Sequence, residues 1–340
     1  MKFIHIADVH WGARPEREQT FGRIREQEIK ETFQRVIDHA NKQQVDLLLI
    51  AGDLFDQPPT QQELREVDYL LSRLNHTRTV LIAGNHDHLE PHDAFSQYKW
   101  NSEVYLLDGK QRDHISFEDL ETTIYGFSYW KNQITKPLYD HMKPDESEGS
   151  DFSILLAHGG DESHIPIQRE ALKWSGFDYI ALGHIHKPMK VGSELYRYCG
   201  TPLACSVSEA QQQKGIIIVE MGVKGEIKTT ILPLEPLRQV KVVKGTLEEV
   251  LKESCKDYVT VILTDKADLD VIDMQERIRL AFPNLLEIRR ENQRKTDYTR
   301  TLQTEELLDP YELCCSFLKD LDEEEKMILQ DVLHTVQGVK

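Results

Sequence analysis

The stretch VDLLLIAGDLFD, residues 45–56, is apolar at almost every position through Ala51 and then turns to glycine and carboxylates at Gly52, Asp53 and Asp56. A short run that is apolar at successive positions reads as a strand buried on both faces, as in layered α/β proteins. The same transition recurs four times. Phe3–Ala7 leads into Asp8-Val9-His10, Thr79–Ala83 into Gly84-Asn85-His86-Asp87, Phe152–Ala157 into His158-Gly159-Gly160, and Tyr179–Leu182 into Gly183-His184-Ile185-His186. Between the first strands, Ile29, Phe33, Val36, Ile37 and Ala40 recur at helical spacing, as do Leu64, Val67, Leu71 and Leu74. Strand–helix–strand order implies parallel neighbours, and open sheets bind ligands beyond the carboxyl ends of their strands. All five polar turns close such strands, so they can converge on one rim.

Further along, Glu194–Tyr198, Gly215–Met221 and Ile227–Leu232 read as strands with short turns, predicting a second, more antiparallel sheet. Pro233 and Pro236 mark a boundary. From Val240 to about Glu291 the pattern is strand, helix (247–253), strand (258–264), helix (272–282) and strand (285–288), a small α/β module. Two amphipathic helices are predicted after about Arg300. The first is capped by Asp309-Pro310-Tyr311-Glu312 and carries Leu313, Phe317 and Leu321; the second carries Met327, Ile328, Val332, Leu333 and Val336. The expected division is 1–236, 237–298 and 299–340.

At 340 residues the chain accommodates one large domain and a smaller one. A net charge of −17 excludes a protein that grips nucleic acid over its whole surface, though cations and a local basic groove can reverse the field at a site. No apolar run approaches the ~18–20 residues of a membrane helix, and Met1–His5 enters a core-like strand with no secretory signal. Five cysteines without C-x-x-C spacing point away from a disulfide framework or thiolate zinc site and toward a reducing cytoplasm.

Asp-x-His, Gly-Asp-x-x-Asp, Gly-Asn-His-Asp, a strand-end histidine and Gly-His-x-His together supply mixed oxygen and nitrogen ligands with a carboxylate able to bridge. That is the inventory of a two-metal phosphoesterase, in which paired divalent cations neutralise phosphate charge, activate water and stabilise the leaving oxygen. In these motifs the chain resembles the calcineurin-like metallophosphoesterase superfamily, a four-layer α/β sandwich. Within it the chain looks like the SbcD family, the nuclease subunits of SbcCD-type double-strand-break repair complexes. The superfamily motifs cover Asp8 to about His186; the SbcD likeness extends more weakly through a capping module and a helical tail.

The resemblance implies that Asp8, His10 and His186 hold one metal, Asn85, His158 and His184 the second, and Asp53 both. It implies that His86 is catalytic, touching phosphate and helping the leaving oxygen depart, with Asp87 fixing its orientation and charge. Asp56 is a candidate for a substrate or supporting contact. Protein phosphatases of the superfamily usually carry arginine where Gln57 stands, which weakens that reading. Family preference makes the cofactor two Mn²⁺ ions, although the ligands alone would also accept iron, cobalt or zinc. His88, His92 and His164 follow motifs closely and are secondary candidates; histidines in such places are more often structural. Arg14, Arg17, Arg23 and Arg25 read as a solvated surface or as a loop touching DNA phosphates. Arg289, Arg290, Arg294, Lys295 and Arg300 form the most basic stretch.

The function so implied is an SbcD-like subunit acting on DNA as a 3′–5′ duplex exonuclease and a single-strand or hairpin endonuclease. It would form a homodimer through helices beside the second and third motifs, and its C-terminal helices would bind an SbcC-type ATPase. This chain has no Walker A sequence of its own. The alternatives are a stand-alone small-molecule phosphodiesterase, which needs neither module nor tail, and a non-enzymatic scaffold, which has no reason to keep every ligand.

Overall fold

In a computed structural model of the chain, residues 1–340 are described apart from 102, 110–112, 146, 148, 224–225, 266–270, 292–322 and 337–340. Leu47–Ala51 is a strand with every residue buried. It is β2 of a six-stranded sheet in which β1 (Lys2–Ile6), β2, β3 (Arg78–Ile82) and β4 (Val104–Leu106) run parallel. A second six-stranded sheet has the order β5-β6-β7-β8-β10-β9, from β5 (Asp113–Phe117), β6 (Thr122–Gly126), β7 (Phe152–His158), β8 (Tyr179–Gly183), β9 (Met189–Lys190) and β10 (Tyr196–Tyr198). Its β6, β7, β8 and β10 are parallel. The expected antiparallel sheet does not form as a separate body. β11 (Gly215–Met221) and β12 (Ile227–Pro233) instead extend the first sheet antiparallel beside β1, and β10 joins the second sheet. An apolar strand whose Ile216–Val219 are all buried finds its partner at the open edge next to β1.

The two sheets face each other. Because successive side chains on a strand point to opposite faces, Leu47, Leu49 and Ala51 pack between the sheets with Ile154, Leu156 and Ala181. Leu48 and Ile50 pack on the other side against α1 (Gly22–Gln43) and α2 (Gln61–Leu71), through Ile29, Phe33, Leu64 and Val67. On the outer face of the second sheet, Leu155 and Ile180 meet Tyr139 and Leu172, the latter on α3 (Arg169–Lys173). Helices, sheet, sheet and a thinner helical layer thus make a four-layer sandwich. A reciprocal cap between Thr60 and Glu63 starts α2.

β13 (Val240–Gly245), β14 (Tyr258–Leu263) and β15 (Leu285–Arg290) form a three-stranded sheet covered by α4 (Leu247–Val250) and α5 (Val271–Ala281), with its own core around Val259, Val261, Ile278 and Phe282. It docks on α1 through polar groups. The Arg25 guanidinium lies 4.3 Å from the centre of the Tyr258 ring, and Glu28 accepts hydrogen bonds from the Tyr258 hydroxyl (2.9 Å) and Arg238 (2.5 Å). Arg25 is therefore buried and structural, also donating to the Cys205 carbonyl, rather than part of a surface loop facing DNA. Arg14 is exposed and paired with Glu26.

Residues Met1–Arg289 form one compact unit and Arg290–Lys340 a second. In the second, α6 (Glu323–Val336) matches the later tail helix and leaves Met327, Ile328 and Val332 exposed. The earlier tail helix at 309–321, and Arg294, Lys295 and Arg300, lie outside the described residues. Among the described residues no helix is long and apolar enough to cross a membrane.

Candidate metal centre

Strand ends deliver the polar turns to one place. Asp8 follows β1, Asp53 follows β2, Asn85 follows β3, His158 ends β7, and His184 and His186 follow β8. Parallel pairing of β1, β2 and β3 in one sheet, and of β7 with β8 in the other, aims the ends within each sheet the same way. The turns are tight: Asp8, His10, Asp53 and His184 all have positive φ, between 49° and 94°. Non-glycine residues in that region are costly, and such strain gathers at functional sites held by their surroundings. Glycines make the approach possible. A Cβ on Gly52, at φ +87°, would stand 2.3 Å from His158 Nδ1, and one on Gly84 would stand 2.2 Å from Asp53 Oδ1.

Among the described residues four groups of side chains could each hold a metal ion, one of them Asp161, His164 and His184. Ligand atoms of Asp8, His10 and His186 lie within 4.8 Å of one another, as do those of Asp53, His158 and His184. Asp53 also groups with His10 and His86. Asn85 Oδ1 is 3.1 Å from His158 Nε2 and 3.0 Å from His184 Nδ1. The structure thus brings together all seven residues expected as ligands. It is Asp53 that joins the group of His158 and His184 to that of His10.

The hydrogen bonding of the imidazoles tests whether the set fits cations. His158 Nδ1 donates to the Ala51 carbonyl (2.9 Å), His184 Nε2 to Asp161 (2.7 Å) and His186 Nδ1 to Glu209 (3.3 Å), while His10 Nδ1 faces Asp56 at 3.3 Å. With those outer nitrogens turned to acceptors, each inner nitrogen carries its lone pair into the centre. His10 Nε2 and His186 Nε2 then face each other at 3.2 Å. Two nitrogens bound to one ion at ~2.1 Å, at an angle of about 90–110°, stand ~3.0–3.4 Å apart, so the spacing suits a shared cation. Converging lone pairs and buried carboxylates fit divalent metal ions.

The buried charges also act strongly on one another. Burial would lower His158, but Asp53 at 3.3 Å and Asp8 outweigh it and push the imidazole up to about 9. Burial would raise Asp53, yet His158, His10 and His86 hold it well below the usual carboxylate range.

His86 is exposed beside the centre, its ring edge-on to His10 at 4.8 Å, and its Nδ1 is 3.0 Å from the Asp56 carbonyl. Asp87 differs from expectation. Its two carboxylate oxygens accept from the backbone N–H of Gly84 (2.6 Å) and Phe55 (3.1 Å), so it fixes the backbone of two motifs rather than the His86 ring. The reason is depth: Asp87 is fully buried beneath the turn, and burial together with Asp53 pushes it up to about 7. Asp56 takes a supporting place, at His10. His88 turns back on the Asn85 carbonyl, and His164 pairs with Asp161. Asp161 and Glu209 are not singled out by sequence. Neither sits in a strand-end motif, and only their contact with His184 and His186 marks them.

Comparison with known proteins agrees with this geometry. A family model described as calcineurin-like phosphoesterase matches residues 1–188, and one described as type 5 capsule protein repressor C-terminal domain matches residues 234–321. The chain is similar to the SbcD subunit of the nuclease SbcCD from Staphylococcus epidermidis, 25% identical, with 84% of each chain covered. It is similar to the SbcD subunit from Staphylococcus saprophyticus, 28% identical, with 74% of each covered. It is also similar to the "DNA double-strand break repair protein Mre11" of Sulfurisphaera tokodaii, 33% identical over 54% of this chain and 49% of that one.

Proposed function

The chain belongs to the calcineurin-like phosphoesterase family, and from that premise we propose that it is the nuclease subunit of an SbcCD-like DNA repair complex, hydrolysing DNA phosphodiesters at two Mn²⁺ ions. The observation that carries this reading is the convergence of seven candidate ligand residues: six in clusters linked through Asp53 and His10, and Asn85 beside His158 and His184. Relatives named as nuclease subunits, aligned over most of both chains, support a nucleic acid substrate, and the relative named as a DNA double-strand break repair protein, aligned over about half of each chain, supports DNA.

In this reading Asp8, His10 and His186 would hold one ion and Asn85, His158 and His184 the other, with Asp53 serving both. When bound, the ions supply neutralised phosphate charge and a readily ionised water. The protein's own residues do the rest. Buried Asp87 locks the Gly84 and Phe55 backbones and so keeps Asn85 and Asp53 in register. His86, with Nδ1 directed to the Asp56 carbonyl, presents Nε2 to the substrate side and as imidazolium gives its proton to the leaving 3′ oxygen. The actions proposed are 3′–5′ exonuclease on duplex ends and endonuclease on single strands and hairpins.

The 237–298 module is proposed to cap the site and position DNA. The 299–340 tail is proposed to bind an SbcC-type ATPase, a reading supported by the apolar Met327, Ile328 and Val332 exposed on α6. A homodimer in the cytoplasm completes the proposal. Incubation of the full chain with duplex DNA and Mn²⁺, with and without the ATPase, tests it. Mn²⁺-dependent nucleotide release is expected. Turnover of small diesters with no DNA cleavage under either condition overturns the nuclease reading.

A further inference from the structure

Glu209 lies on a single 3₁₀ turn, Val207–Glu209, yet its carboxylate is buried and surrounded by donors. Thr201 Oγ1 (2.9 Å), Lys214 Nζ (2.6 Å) and the Cys205 N–H (3.4 Å) donate to one oxygen. Ser206 Oγ (2.9 Å) donates to the other, Oε1, which faces His186 Nδ1 at 3.3 Å. Lys214, itself buried, donates from the same ammonium to the His186 carbonyl at 2.8 Å. One ion pair therefore grips His186 twice, by ring and by backbone.

A second carboxylate stands behind His184. Asp161 Oδ1 is occupied by the N–H groups of Ser163 (2.8 Å) and His164 (2.9 Å) in its own turn. Oδ2 faces His184 Nε2, at 2.7 Å, and also His164 Nδ1, at 2.9 Å. His184 and His186 are two residues apart, belong to different ligand groups, and are backed by carboxylates from different loops.

We propose that Glu209, braced by Lys214, and Asp161 are positioning residues that separately tune the two metal positions, Glu209 through His186 and Asp161 through His184. A carboxylate behind a ligating imidazole fixes its tautomer, holds its ring and raises its basicity; losing such a partner typically weakens metal binding by ~10–100-fold. The inference rests on the two-metal reading above. It goes beyond it in making the two positions independently adjustable. Glu209 has the larger effect, because its side chain is 5% exposed against 46% for Asp161, where water can replace a lost partner.

Mn²⁺ titration calorimetry on the full chain after chelation tests this. Wild type takes up two ions. Glu209→Gln weakens one uptake step by ~10–100-fold and leaves the other unchanged, and Asp161→Asn weakens the opposite step by less. Each effect vanishes when the histidine it acts through is already alanine, so Glu209→Gln adds nothing to His186→Ala. A merely structural role for Glu209 would persist in that background and would overturn the inference. So would equal weakening of both steps, or unchanged binding in both variants. Uptake of a third ion that Asp161→Asn abolishes would make Asp161 a ligand with His164 and overturn its positioning role. If Glu209→Gln does not fold, the Asp161→Asn and His184→Ala pair carries the same test at an exposed position. Wild type that binds no Mn²⁺ overturns the two-metal reading itself, a result distinct from any of these.

Discussion

His10 and His186 present their Nε2 atoms to each other at 3.2 Å while the Nδ1 of each ring faces a carboxylate, Asp56 or Glu209. Neutral rings so arranged repel unless a cation or a proton lies between them. In the proposed reading the pair forms part of the site for one ion. Replacing His186 by alanine removes a proposed ligand outright. The expected loss of Mn²⁺ affinity at one position exceeds the ~10–100-fold that follows loss of an outer partner, read by calorimetry and by metal content after gel filtration.

His86 is expected to matter for rate and not for loading. His86→Ala should lower kcat on duplex DNA by roughly 10²–10⁴-fold, the usual contribution of a general acid, with two Mn²⁺ ions retained per chain. Equal degradation by wild type and variant would remove His86 from the mechanism.

Gly52→Ala puts a methyl group where the His158 ring lies, 2.3 Å away, at a backbone φ of +87°. Strain alone is expected to cost about 1–3 kcal/mol, seen as a lower melting temperature, together with loss of Mn²⁺ from the group containing His158. A variant that melts and binds like wild type would show that the strand ends can part without consequence.

His5 lies in the core with Nδ1 3.1 Å from the Tyr179 hydroxyl, and burial lowers it from 6.5 to about 3. Its contribution to stability is complete above pH 6.5. Between 6.5 and 3 the unfolded chain takes up a proton that the folded chain refuses, so stability falls by about 1.4 kcal/mol per pH unit as the pH drops. Buried Asp87, pushed up to about 7, contributes the opposite slope over the same range, so the loss is read as a difference: in thermal melts from pH 7 to pH 4 the stability of wild type relative to His5→Gln should fall. An unchanged difference would assign the acid sensitivity to other groups.

The strand-end motifs are legible in the sequence because each is contiguous: an apolar run announces the strand and the next few residues announce the ligands. β11 and β12 are legible as strands but not as members of the first sheet, since β11 pairs with β1, an edge more than 200 residues earlier, and β12 joins only through β11. β4, β5 and β6 leave no clear mark. β5 alternates half-buried with exposed residues over only five positions, which is little periodic signal. Arg25 reads as one of four surface arginines, and only the Tyr258 ring and the carbonyls of Ala204 and Cys205 explain its burial. Asp87 belongs at the centre, as its motif implies, but with a different contact, because sequence does not show which way a buried carboxylate leans. Glu209 and Asp161 are invisible for a similar reason: the contacts that define them reach back 23 residues, from Glu209 to His186 and from His184 to Asp161.

The centre draws its ligands from both sheets, and chain order decides which arrive first. A chain that has completed only β1 to β3 owns Asp8, His10, Asp53 and Asn85 but neither His158 nor the histidines at 184 and 186. Such an intermediate has half a coordination sphere and nothing to close it. On the proposed reading, a complete centre therefore requires the second sheet to have packed against the first.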